Sequence, residues 1–202
     1  MLDHLVYVVA DLEAAVAHFA TLGLPLSPGG RHVIHGTHNV LLRLGPRSYL
    51  EVLAVDPDTP ILPPRWMGID LGTLPRLSRW AVHAGATSFA ERDWQTSTRQ
   101  LPDGRELRWQ LTDPGTAPAT VVRPFLIDWS GSPTHPAETL PEVGVELVEL
   151  RLSCPDAEAV NAYLERYGVP WRAVSAAEPR IEATLRGPRG LMRITSSSKT
   201  AR

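Results

Sequence analysis

The chain repeats itself at its two ends, and this constrains its fold more than any other feature. "DLEAAVAHFATLGLP" at 11–25 aligns without gaps on "DAEAVNAYLERYGVP" at 156–170, sharing the first Asp, a Glu two later, two alanines and a closing Gly-x-Pro. In the first copy Leu12, Ala15, Val16, Phe19 and Leu22 recur at helical spacing behind Asp11 as N-cap, and Gly23 and Pro25 stop the helix. A strand, "LDHLVYVV", precedes it. Later, "GPRSYLEV" (45–52) has its counterpart in "GPRGLMRI" (187–194), a turn and then a strand in each. The two ends therefore read as copies of one strand-helix-strands unit. Such a unit cannot bury its sheet face alone, so units must pack side by side, with a groove between them for a ligand.

The expected class is α+β, with strand-helix-strands modules packed side by side. The first module is placed at 1–56, a linker at 57–77, a degenerate middle module at 78–130, a second linker at 131–144 and the last module at 145–196. The tail 197–202 is expected to fray. Within the middle module the sequence reads as strand, short helix, strand, strand.

The composition excludes several classes. With 20 Lys+Arg against 22 Asp+Glu and no dense basic run, the electrostatic footprint of a nucleic-acid binder is missing. The apolar run near the N-terminus is too short, and acid comes too early, for a signal or a membrane span. A cytoplasmic protein that takes a small-molecule ligand is expected, with a homodimer left open. The single cysteine, Cys154, has no internal partner and reads as a small buried residue before a helix. The glycines of "SPGGRH" lack the context of a phosphate loop, and no serine sits in a nucleophile elbow.

The stretches "LDHLVYVVADLE", "GGRHVIHGTHNVLLRLGPRSYLEVLAV" and "RPFLIDWSGSPTHPA" resemble the glyoxalase-like domain group of the vicinal-oxygen-chelate superfamily. The resemblance implies paired βαβββ modules packed side by side with curled mixed sheets around a cleft and, in the enzymes, a divalent metal held from strands one and four of each module. It maps the ligands of the first module onto His4 and Glu51, an imidazole and a carboxylate suited to Mn, Fe, Ni or Zn. The family-like core "GG.H..GT.N" makes His32 and Asn39 pocket candidates. Trp129 and His135 are candidates for the cleft wall, whereas His35 and His38 read as solvated loop residues.

Two pairings remain open. If the last module faces the first, Glu149 stands opposite His4 and Arg193 opposite Glu51. Arginine cannot ligate a metal, so Arg193 would replace the cation and the cleft would be metal-free. If the middle module is the partner, as the group implies, Asp128 is the strand-four acid and a catalytic partner to Glu51. Strand one then offers Trp80 near the ligand position, with His83 out of register. The expected function is a metal-dependent lyase, isomerase or dioxygenase-type enzyme acting on a small oxygenated or aromatic metabolite, or a metal-free binding or sequestering protein on the same fold.

Overall fold

A computed structural model describes residues 1–59, 61–70, 75–84, 93–101, 103–117 and 119–196. The short helix expected within 85–92 and the frayed tail lie outside the described residues. The first unit runs β1 (Leu2–Val8), α1 (Leu12–Thr21), β2 (Ser27–His32), β3 (Thr37–Gly45) and β4 (Ser48–Val55). The middle of the chain supplies β5 (Arg76–His83), β6 (Trp94–Gln100), β7 (Glu106–Thr112) and β8 (Phe125–Asp128). A four-residue helix, α2 (Pro136–Thr139), then leads to β9 (Glu146–Cys154), α3 (Ala157–Arg166), β10 (Ala173–Ser175), β11 (Arg180–Gly187) and β12 (Gly190–Thr195).

β1 to β8 close into one barrel in the order β1-β4-β3-β2-β6-β7-β8-β5. The class is α+β, and the first and middle modules share one closed barrel. β1 and β5 run antiparallel, with His4 against Ala81, and Arg31 on β2 pairs with Gln100 on β6 to complete the ring. Period-two alternation then gives each strand an inner and an outer face. Inside are Val6, Val8, Leu41, Tyr49, Leu53, Ala81, Trp109, Leu111, Phe125 and Ile127. Outside, Leu5, Leu42, Leu50, Val52, Leu77, Trp80 and Val82 form a second core with α1 and the C-terminal sheet.

The last module departs from the first in its pairing. Its sheet has the order β10-β9-β11-β12, with β10 parallel to β9. In the first module β1 lies beside β4, whereas in the last β11 separates β9 from β12. The element order strand-helix-strand-strand-strand is the same, yet the counterpart of β4 has become an outer strand. One face of this sheet packs on the outside of the barrel, so its strands do not reach the inner face that carries His4 and Glu51.

The helices follow the sequence closely. Asp11 accepts a hydrogen bond from Ala14 N at 3.0 Å, and Gly23 takes φ +76° where α1 ends. Asp156, read as the equivalent cap, makes no side-chain cap bond to α3. The segment 57–77 does more than wrap the surface: Trp66, Met67 and Ile69 are buried and join the inner core. No helix among the described residues is long and apolar enough to cross a membrane.

Candidate functional site

The inner face of the barrel carries polar side chains at one level. His4 on β1 is 3% exposed and Glu51 on β4 is 6% exposed, with His4 Nε2 3.7 Å from Glu51 Oε2. Asn39 on β3 donates from Nδ2 to Glu51 Oε1 at 2.6 Å, and His32 Nε2 lies 3.8 Å from the same oxygen. His4, His32, Tyr49, Glu51, Arg99 and Trp129 line a cavity with about 290 Å³ of void, walled further by Trp66, Met67, Trp109, Leu111, Phe125 and Ile127. That void is divided among the side chains and leaves water-sized space.

Behind His4 stands Asp3. Strict alternation would send these neighbours to opposite faces, but β1 carries a bulge between Leu2 and His4 in its pairing with β5. Asp3 Oδ1 accepts from His4 Nδ1 at 2.6 Å, while Oδ2 accepts from Trp129 Nε1 and His135 Nε2, each at 3.1 Å. His83 Nε2 lies 3.1 Å from Oδ2 as well. Burial alone would raise the Asp3 pKa, but the hydrogen bonds from His135 and His4 outweigh it and hold the carboxyl well below the usual range. With Nδ1–H committed to Asp3, His4 turns the lone pair of Nε2 toward the cavity.

His32 accepts or donates at Nδ1 with Thr37 Oγ1, 3.0 Å away, and Thr37 Oγ1 also accepts from Trp66 Nε1 at 3.2 Å. Burial, with Arg99 and His35 nearby, pushes the His32 pKa well down, so the ring is neutral. His35 is not a solvated loop residue: its ring stacks on Trp66 at 3.6 Å, Nε2 meets Ser97 Oγ at 2.9 Å, and burial lowers its pKa to about 4.

Several sequence candidates lie elsewhere. Phe125 and Ile127 face the cavity, so Asp128 points away and binds Ser130 N at 3.3 Å and the Ser130 hydroxyl. It is no strand-four ligand. Trp80 faces the outer core and donates to Val122 O at 2.6 Å, leaving Ala81 at the inward position opposite His4. Arg193 on β12 pairs with Glu182 at 3.3 Å, and Glu149 with Arg151 at 2.8 Å. Neither belongs to the barrel. His135 bonds to Asp3 and Asn39 to Glu51, and neither is among the residues that line the cavity. Cys154 is buried, and burial raises its thiol pKa.

Two donor sets bear on the divalent metal that the resemblance implies. Asp3, His83 and His135 have ligand atoms within 4.8 Å of one another, a grouping compact enough for an ion. His135 Nδ1, however, accepts from Ala137 N at 3.1 Å as the cap of α2, which places its proton on Nε2, pointing at Asp3. A neutral imidazole in that tautomer has no lone pair left for a metal. Inside the barrel, His4 and Glu51 come from the first half, while Ala81, Phe125 and Ile127 at the facing positions of the second half cannot ligate. His32 and His4 approach different oxygens of Glu51. These residues do not fit a complete site for a divalent ion.

A βαβββ unit, an eight-stranded barrel and an inward histidine–glutamate pair on β1 and β4 are now in view. A family model described as a glyoxalase-like domain matches residues 2–168. The chain belongs to this family. Among curated proteins none matches. A hypothetical protein from Staphylococcus aureus is similar in structure, with TM-score 0.61 at 15% identity over 98% of this chain and 86% of that one. At that identity the likeness shows the fold alone. The methylmalonyl-CoA epimerase of Mycobacterium tuberculosis matches over 62% of this chain and 84% of its own, at 18% identity and TM-score 0.39. That of Streptomyces coelicolor, in complex with 2-nitronate-propionyl-CoA, matches over 66% and 97%, at 16% identity and TM-score 0.43. Neither score is high enough to enter the argument.

Proposed function

We propose that the barrel interior binds a small oxygenated metabolite and moves a proton on it, an isomerase- or lyase-type reaction. The observation that carries this reading is the 2.6 Å Asp3–His4 hydrogen bond, which fixes one tautomer and leaves Nε2 facing Glu51 and the cavity. His4 Nε2 takes a proton from the carbon beside a carbonyl group, and the Asp3 anion stabilises the imidazolium that forms. Glu51, held by Asn39 at 2.6 Å and 3.7 Å from His4 Nε2, takes that proton from the imidazolium and delivers it to another atom of the substrate, which leaves His4 neutral and Glu51 ionised again. A bonded imidazole at such a position contributes about 10²–10⁴-fold to proton transfer.

The test is deuterium exchange followed by NMR. In D2O, with chelator present, the protein is expected to exchange the hydrogens next to the carbonyl of small 2-oxo compounds, and His4→Gln to slow this by at least about 100-fold. Exchange that disappears with chelator and returns with Mn or Zn would restore the metal-dependent reading. Binding without exchange would favour a metal-free binding protein.

A further inference from the structure

Arg99 lies on β6 inside the barrel, 3% exposed, and lines the cavity with Glu51, Trp66, Trp109 and Trp129. Its Nε has no hydrogen-bond partner among the described residues. Glu51 and Tyr49 act on it electrostatically. The fold makes room for this side chain: a Cβ on Gly30 would meet Arg99 Cγ at 2.9 Å and the Gln100 carbonyl oxygen at 2.0 Å. A guanidinium keeps its proton in a protein, and a buried charge without a hydrogen-bonded partner is costly. Arg79, also buried, shows the contrast, since it is saturated by the carbonyls of Pro114, Ala117, Ala119 and Ser78. Arg79 ties a loop down, whereas Arg99 lines the cavity and its buried Nε is left without a partner among the described residues.

We propose that Arg99 receives the carboxylate of the ligand, which makes the substrates small carbonyl acids, 2-oxo or 2-hydroxy carboxylates. The proposal rests on the barrel cavity being the ligand site. A planar guanidinium takes a carboxylate through paired N–H···O bonds, which also orients the rest of the molecule. The acid group on β6 and the enolisable carbon near His4 on β1 would span the barrel from its second half to its first. Because the void leaves only water-sized space, side chains must shift to admit even an acid of few heavy atoms, and a phosphate ester would demand a larger shift.

The experiment follows tryptophan fluorescence, since Trp66, Trp109 and Trp129 surround the cavity. Native protein, Arg99→Met and Arg99→Lys are titrated with 2-oxobutyrate, 2-oxobutyramide and inorganic phosphate. Native protein is expected to prefer the acid over the amide by about 30-fold, the scale of a hydrogen-bonded charge. Arg99→Met loses this preference, and Arg99→Lys keeps part of it. Without ligand, Arg99→Met is expected to melt no lower than native protein, because it removes a buried guanidinium whose Nε has no hydrogen-bond partner among the described residues.

Equal affinity for acid and amide, binding of neither, a preference for phosphate, or an unchanged preference in Arg99→Met would overturn the proposal. If Arg99→Met does not fold, Arg99→Lys decides: a full native preference in that variant overturns the proposal, and a reduced one supports it. His4→Gln separates the two proposals, since it retains Arg99. Acid-selective binding there supports the Arg99 role whatever becomes of proton exchange. Native exchange on neutral ketones without acid preference overturns the Arg99 role and leaves proton transfer standing.

Discussion

Asp3 gathers donors from four parts of the chain: β1 itself, the end of β5, the turn after β8 and the cap of α2. Asp3→Ala would leave the N–H groups of His4, Trp129 and His135 unsatisfied in the interior. A stranded buried donor costs roughly 1–3 kcal/mol, so the variant is expected to lose at least about 3 kcal/mol in urea unfolding. Asp3→Asn, which keeps the shape and one acceptor oxygen, should lose less. His4 and Glu51 were legible as residue types on the right strands. Asp3 was not, because an Asp next to a His on a strand reads as facing the other side, and the bulge that overrides alternation has no marker in "MLDHL". Arg99 was hidden for a different reason: "WQTSTRQ" carries it among polar neighbours, as a solvated strand would. The signal that could have found it is the glycine pair in "SPGGRH". Gly29 leaves space for Asn39, whose Oδ1 would lie 2.0 Å from a Cβ there, and Gly30 leaves space for Arg99.

At the scale of elements, the repeat showed where helices and strands begin but not which strands would pair. The helical stripe, the capping Asp11 and the closing glycine are local signals, and α1 and α3 lie where they predict. Pairing is a long-range matter. After α1 the chain places β2 antiparallel to β3, whereas after α3 the three-residue β10 runs parallel to β9. This one change moves Arg193 to an outer strand and makes the middle of the chain the partner of the first module. Arg193→Glu is therefore expected to leave cavity binding of any probe, metal ion or carboxylate, within about twofold of native in calorimetric titration, while placing a like charge beside Glu182. A marked gain in metal affinity would show that the last module reaches the site after all. The segment carrying Trp66 and Met67 was read as a linker because of its prolines. Its aromatic and apolar residues plug the barrel, and Met67 holds φ +60° there with its N–H on Gly115 O at 2.9 Å.

For the molecule as a whole, the histidines tie stability to pH. Burial lowers the pKa of His32 well below 6.5 and that of His35 to about 4, and His83 is lowered by burial despite Asp3. In the unfolded chain these rings take up protons near pH 6.5, so unfolding binds protons and stability is lost as pH falls from about 6.5 toward 4. Asp3, whose pKa is depressed, adds a further loss below about pH 4. Melting temperature is expected to fall steadily from pH 7 to pH 4.5, and His35→Gln to flatten part of that slope. A profile level over this range would contradict the burial of these rings. Closure of the barrel has a consequence of another kind. Among the described residues, eight of the twelve strands have both flanks paired within the ring, so little of their backbone is open to a second chain. The free flanks belong to β10, which is three residues long, and to β12, where Leu191 stands exposed beside a charged Arg193. Strand addition, whether into an ordered assembly or an aggregate, is thereby directed to the C-terminal sheet and kept away from the barrel that holds the cavity.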